Sequence, residues 1–186
     1  DKLPPVMRKH YANRPYSSDV TTVEGILDVM CAGPIKVFAW FFWLMRGVPP
    51  HNEKEVPVTV RFESDMDSRF FHFNRAFYFK SRNPYHFRSR MFQVKGSEVI
   101  EVMRYRFGWR MNYLWEGDRV KLKHKGYVLY AFGWFIPLPL TFLLGKGYAE
   151  ECAIDDHSFD MSVTITHPWW GAVYEYKGRF KVKECP

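Results

Sequence analysis

The chain has 186 residues, enough for one domain with a real core, and carries a formal net charge of +7. Its three cysteines (Cys31, Cys152, Cys185) form no CxxC and have no histidine at zinc spacing. That argues against a disulfide framework or structural zinc site and fits a reducing, cytoplasmic setting. The charge suits either a basic face that keeps the protein soluble or an anionic partner such as nucleic acid or an anionic lipid surface. The chain begins at Asp1 rather than Met, which leaves room for a segment upstream.

Residues 3–11 follow a Pro-Pro start that suits the first turn of a helix. Residues 12–22 are polar and read as a loop. From about Val23 to Met45 the chain reads as a second helix, broken at Gly33-Pro34 because proline cannot continue the hydrogen-bond ladder. Its second half, residues 37–45, is apolar all round. It is too short to cross a bilayer, which takes about 20 residues. Such a helix packs against the rest of the fold or lies in a membrane interface, and burial against the sheet is preferred.

Val48-Pro49-Pro50 ends the helical part. Strands then read at 56–63, 69–79, 86–94, 98–106, 109–116, 119–132, 146–154, 158–166 and 171–183, separated by turn signals such as Lys95-Gly96-Ser97 and Glu116-Gly117-Asp118. Residues 133–145, with Ile136-Pro137-Leu138-Pro139, break the pattern and read as a rim loop or short helix. The last strand is the clearest. Tyr174, Tyr176, Gly178, Phe180 and Val182 fall on one face, and Glu175, Lys177, Arg179, Lys181 and Lys183 on the other. Short connections favour antiparallel neighbours. The expected fold is therefore mainly β (α+β). It is a lipocalin-like, curved, up-and-down sheet or barrel-like meander of about 8–9 strands, with amino-terminal helices packed on or capping it. One domain, 1–186, is expected, helical to about residue 50 and antiparallel β from about 55 to 184.

Alternation along each strand sets which residues share a face. Phe71, Phe73, Arg75, Phe77 and Phe79 align in one strand, and Val99, Glu101, Met103 and Tyr105 in another. Val120, Leu122, His124, Val128, Tyr130 and Phe132 share a side, as do Tyr148, Glu150, Cys152 and Ile154. The aromatic-rich interior then carries Arg75, Glu101, Tyr105, His124, Tyr130, Glu150, Tyr174 and Tyr176 as ligand-binding candidates. Buried charge is costly unless paired or hydrogen-bonded. These groups either satisfy one another, as in an Arg75–Glu101 network, or orient a ligand's polar end. The aromatics likewise fill a bulky core or line a cavity.

No HExxH, GxSxG, Walker loop or GxGxxG occurs, so metalloprotease, hydrolase, NTPase and dinucleotide readings lack support. No metal and no cofactor is expected. The Arg88/Arg90 and Lys121/Lys123/Lys125 stripes suit phosphates, but single-strand binders need exposed aromatics beside the charges, which argues against nucleic acid.

Four stretches carry a family resemblance: Leu3-Pro4-Pro5, Gly33-Pro34, Val56-Pro57-Val58-Thr59-Val60, and the tail from His167-Pro168-Trp169-Trp170-Gly171 to Tyr176-Lys177-Gly178. With Ile136-Pro137-Leu138-Pro139 ahead of Glu150, the chain resembles the bacterial domain-of-unknown-function 4166 family over nearly its whole length. Family members occur alone or behind a saccharopine-dehydrogenase-like domain, so the resemblance implies an upstream NAD-binding partner as one arrangement. The family's typical features fall here on Glu101, Gly108, Pro137, Pro139, Glu150, Pro168, Gly171, Tyr176 and Gly178.

The expected function is binding of an apolar small molecule or lipid in the aromatic interior, with peripheral contact to an anionic membrane for loading. The alternative is an isomerase, cyclase or lyase with Glu101 or Glu150 as general base and His124, Tyr176 or Arg75 stabilising negative charge. A third reading is a structural companion to an oxidoreductase domain.

Overall fold

The computed structural model describes residues 3–36 and 47–183. Helix α1 (Pro5–His10) is followed by β1 (Val20–Cys31), the single turn α2 (Gly33–Lys36), β2 (Glu53–Ser64), β3 (Phe71–Phe77), β4 (Tyr85–Lys95) and β5 (Glu98–Val102). A 3-10 turn (Arg104–Arg106) leads to β6 (Phe107–Glu116), β7 (Arg119–Ala131) and β8 (Trp134–Leu138). Short helix α3 (Thr141–Leu144) then precedes β9 (Lys146–Ala153), β10 (Ser158–His167) and β11 (Gly171–Lys183).

All pairings are antiparallel, in the order β6-β5-β4-β3-β2-β1-β11-β10-β9-β7-β8, and β6 also pairs with β7. That last pairing closes a ten-stranded up-and-down barrel, with β8 left outside as an extra strand on β7. The expected mainly-β meander is what forms, with two strands more than the sequence reading counted. Closure removes the open edges that a free sheet would expose.

Both additional strands have a physical reason for escaping notice. Residues 23–31 were expected to be helical, yet they form β1. Val23, Leu27, Val29 and Cys31 are buried at alternate positions, but Gly25 takes one inward place and Ile26 and Met30 are exposed outside, which blurs the alternation. Gly25 is small because the Phe180 ring of β11 lies over it; a Cβ there would stand 2.6 Å from that ring. The second, β8, contains Pro137. Proline has no N–H for a ladder and is tolerated here because β8 is an edge strand bonded to β7 alone. A two-residue turn at Phe132-Gly133, both at positive φ, joins β7 to β8.

Strand β7 is forked. Its first half pairs with β9 (Leu122↔Ala149) and its second half with β8 (Tyr127↔Leu138), while β6 runs along both. A bulge opposite Arg110/Met111, at Gly126 with φ 145°, marks the fork. The extra residue reverses the facing of everything after it. Leu122 therefore points into the barrel, whereas Val128 and Tyr130 turn outward onto a small cluster with Phe92, Ile100, Val102 and Phe135.

The main core fills the barrel. Helix α1 starts with Pro5 in its first turn and buries Val6, Met7 and His10 against β1, β10 and β11, closing one end. No helix among the described residues is long and apolar enough to cross a membrane. The apolar run 37–45 lies outside the described residues apart from its flank.

Candidate functional site

Beside α1 the barrel holds a cavity of about 300 Å³. Its walls are apolar: Phe62, Phe71, Phe73, Phe77, Trp109 and Phe159 stand among aliphatic residues of nearly every strand. Space exists here partly because β9 faces it with the small side chain of Ala149, while Gly147 beside it makes room for the Trp109 ring. A Cβ on Gly147 would come within 2.4 Å of the Trp109 ring. That ring occupies the place a larger residue on β9 would claim.

Two polar groups are set into this apolar lining. The first is carried by β3, β4 and β5. Arg75 Nη1 lies 2.9 Å from Glu101 Oε1 and donates to Ser89 Oγ at 3.0 Å, and Ser89 Oγ donates to Glu101 Oε1 at 2.5 Å. The register explains the meeting: Arg75 pairs with Phe87, two residues before Ser89 on the inward face, and Met91 pairs with Glu101. The guanidinium also stacks over Phe87 at 4.5 Å and Phe73 at 5.0 Å. Burial works against its charge, but the Glu101 carboxylate, with Tyr176 further off, more than restores it and leaves the Arg75 pKa raised.

The second group joins α1 to β9. Tyr11 Oη donates to Glu151 Oε2 at 2.5 Å, and His10 Nε2 lies 3.4 Å from the same oxygen. Tyr113 of β6 stands edge-on to Tyr11, ring centres 6.1 Å apart. Burial raises the Glu151 pKa, yet His10, Tyr11 and Arg75 together outweigh it and hold the carboxyl below its ordinary value. The phenols of Tyr11, Tyr113 and Tyr176 are all shifted upward, chiefly by burial, and so remain protonated donors.

Of the residues singled out in the sequence, Arg75, Glu101 and Tyr176 line the cavity. The others do not. Glu150 faces outward, bonded to Arg119 Nη1 and to Tyr148 Oη at 2.7 Å, and the inward carboxylate of β9 is Glu151. The inward positions 147, 149 and 151 carry Gly, Ala and Glu, while Tyr148 lies outside, so hydrophobicity pointed to the wrong face. Tyr105 is 54% exposed in the 3-10 turn, where β5 has already ended. Tyr130 packs on Phe135 outside the barrel, for the bulge reason above. Tyr174 is fully buried at the side of Tyr176 away from the cavity lining, ring centres 6.0 Å apart, and its hydroxyl has no partner among the described residues.

His124 stands behind the cavity wall. Its Nδ1 accepts from Trp109 Nε1 at 2.7 Å, so Nε2 carries the proton and faces Thr141 Oγ1 at 3.1 Å. Burial, with nearby Lys146, pulls its pKa down to about 4. It acts as a neutral brace for the Trp109 ring. The sequence reading missed His10, Tyr11, Tyr113 and Glu151. The first two sit at the carboxyl end of α1, His10 as its last residue and Tyr11 just beyond it, and only the docking of α1 brings them to Glu151. Among the described residues no group of three or more His, Cys, Asp or Glu is placed to hold a metal.

Chemically, the arrangement can exclude water from an apolar molecule and offer it neutral phenol donors. Glu101 already accepts from Arg75 and Ser89, and Glu151 from Tyr11, so neither carboxylate stands free as a base.

Comparison with known proteins places the chain as follows. The family model of a domain of unknown function, DUF4166, matches residues 3–180. The crystal structure of Rv2717c from M. tuberculosis is similar in fold, with a TM-score of 0.52 at 10% identity, covering 98% of this chain and 100% of that one. The dehydratase domain of the polyketide PpsC from Mycobacterium tuberculosis aligns over 97% of this chain and 81% of that one, at 8% identity and a TM-score of only 0.22. A search of the curated proteins returned no match.

Proposed function

The chain belongs to the DUF4166 family, and from that premise we propose that it is a binding module whose barrel takes up one small apolar molecule bearing an uncharged polar end. The observation that carries this reading is the cavity itself: about 300 Å³, aromatic-walled, with two polar groups inside, each made of side chains already bonded to one another. Ligand pockets are mostly apolar with a few placed polar groups, and this volume lies at the lower end of their range of about 300–1,000 Å³.

Charge bookkeeping favours the uncharged end. Arg75 is matched by Glu101, and Glu151 has only His10 as a possible cation beside it. An entering carboxylate would add a negative charge to a desolvated site with no surplus cation. A hydroxyl or carbonyl group meets no such obstacle. Tyr176, which lines the cavity and keeps its phenol proton because burial raises its pKa, is a donor for it.

The test is uptake of a neutral environment-sensitive naphthalene dye, with competition by a long-chain alcohol and by the matching fatty acid. Blue-shifted emission displaced by the alcohol, and weakly by the acid, is expected, together with loss of uptake in Ala149→Phe, which fills the cavity. No uptake by the native protein, and no apolar molecule in its organic extract, would overturn the reading.

A further inference from the structure

The outer face of β3–β5 carries a second recess, separated from the cavity by the sheet. We propose that it is a binding site for a phosphate-bearing anion, held by Arg88, Arg90 and Arg104. The recess is an open groove of about 650 Å³ bordered by these arginines together with His72 and Asn74. Register places them side by side. His72 pairs with Arg90 and Asn74 with Arg88 across β3–β4, and Arg90 pairs with Val102, two residues before Arg104.

The two basic stripes visible in the sequence differ here in a decisive way. On β7, Lys121 and Lys123 lie 3.4 and 3.1 Å from Glu116, and Lys125 lies 2.7 Å from Glu98, so each lysine of that stripe already has a carboxylate partner. Nearby acids on the other side are also committed: Glu63 to Arg61 at 2.6 Å, and Asp65 to His72 at 3.3 Å. Arg88, Arg90 and Arg104 have no carboxylate partner among the described residues. Three guanidinium groups gathered at one groove repel one another, and an anion relieves that repulsion.

The arginines are also held rather than free. Arg90 lies 5.6 Å over the Phe70 ring and Arg104 4.7 Å over Tyr105. The Arg104 platform is built from Tyr105 and Arg106, two consecutive non-glycine residues at positive φ (57° and 63°). Stacking on a ring leaves the guanidinium edge, with its planar fork of N–H donors, to engage phosphate oxygens in pairs. The phosphate can come from a free metabolite or from a lipid headgroup, and the chemistry of capture is the same.

The experiment uses the whole chain at low ionic strength, titrated with inorganic pyrophosphate by calorimetry and floated with phosphatidylcholine vesicles with and without phosphatidic acid. Pyrophosphate binding, or flotation that requires phosphatidic acid, supports the site, and the stronger arm identifies the source. Arg88→Gln, Arg90→Gln and Arg104→Gln should each weaken binding about tenfold, as expected for loss of a charge-assisted hydrogen-bond pair. Lys121→Gln and Lys123→Gln should leave it unchanged, with all variants melting alongside the native protein. Binding in neither arm, or equal loss in the lysine variants, would overturn the proposal.

Discussion

Two polar groups share the cavity, yet they are held in place by different means. Arg75, Ser89 and Glu101 stand on three neighbouring strands whose register fixes their meeting. His10, Tyr11 and Glu151 meet only because a six-residue helix docks on the barrel end. A helix that short has little stability of its own and depends on the apolar contacts of Val6 and Met7. The first group therefore belongs to the barrel and the second to its lid-like cap. Stability and access to the cavity are separable as a result.

The sharpest way to break the contrast is Arg75→Ala. It leaves Glu101 buried without its cation, and removing one partner of a buried pair costs about 3–5 kcal/mol. Urea unfolding should show that loss as a lower midpoint for the whole barrel. Glu151→Gln comes second, at about 1–3 kcal/mol for weakened hydrogen bonding to Tyr11 and His10. Its distinguishing mark is locality: hydrogen exchange should rise in α1 while β3–β5 remain protected.

Acid should reproduce the second effect in the native protein. The folded Glu151 pKa lies below its unfolded value, so its contribution is complete above the ordinary glutamate pKa, about 4.3, and is lost as pH falls through the folded value. His124 acts in the same direction. Its folded pKa of about 4 lies below the unfolded value, so its contribution is lost as pH falls from about 6.5 toward 4. Melting temperature against pH, in the native protein and in Glu151→Gln, should show a shallower acid limb in the variant. The smallest effect is expected of Glu150→Gln on the outer face of the same strand, within about 1 kcal/mol, as for exposed ion pairs. A loss as large as that of Glu151→Gln would contradict the facing described here.

The sequence made the barrel walls legible wherever bulky residues alternated with charged, polar or small ones, as in β11 and β3. It misled where that contrast was reversed for a packing reason. On β9 the inward positions 147 and 149 are small, Gly147 because Trp109 needs room, so the strand's apolar bulk lies outside and alternation favours Glu150 over Glu151. On β7 one extra residue at the Gly126 bulge moved Tyr130 across the sheet, and a bulge leaves no signature in composition. Arg75 and Glu101 lie on strands uninterrupted ahead of them, and the β11 bulge at Val173 falls before Tyr176 without disturbing its alternation with Phe180, so alternation puts all three on the inward face. The α1 contribution was out of reach, since alternation within strands says nothing about what a separate helix brings to them.

The seam between β1 and β11 has a kinetic consequence. Thr22 pairs with Lys183 and Cys31 with Tyr174, so the barrel closes only when the first and last strands find each other across almost the entire chain. Contacts so distant in sequence form slowly, because the entropy of a long loop must be lost before they are made. Val23, Leu27, Tyr176 and Phe180, which line the cavity, all lie on that seam. The pocket should thus come into being at the final step of folding, and a molecule that occupies it would act as a clasp, slowing the reopening of the barrel more than it hastens its assembly.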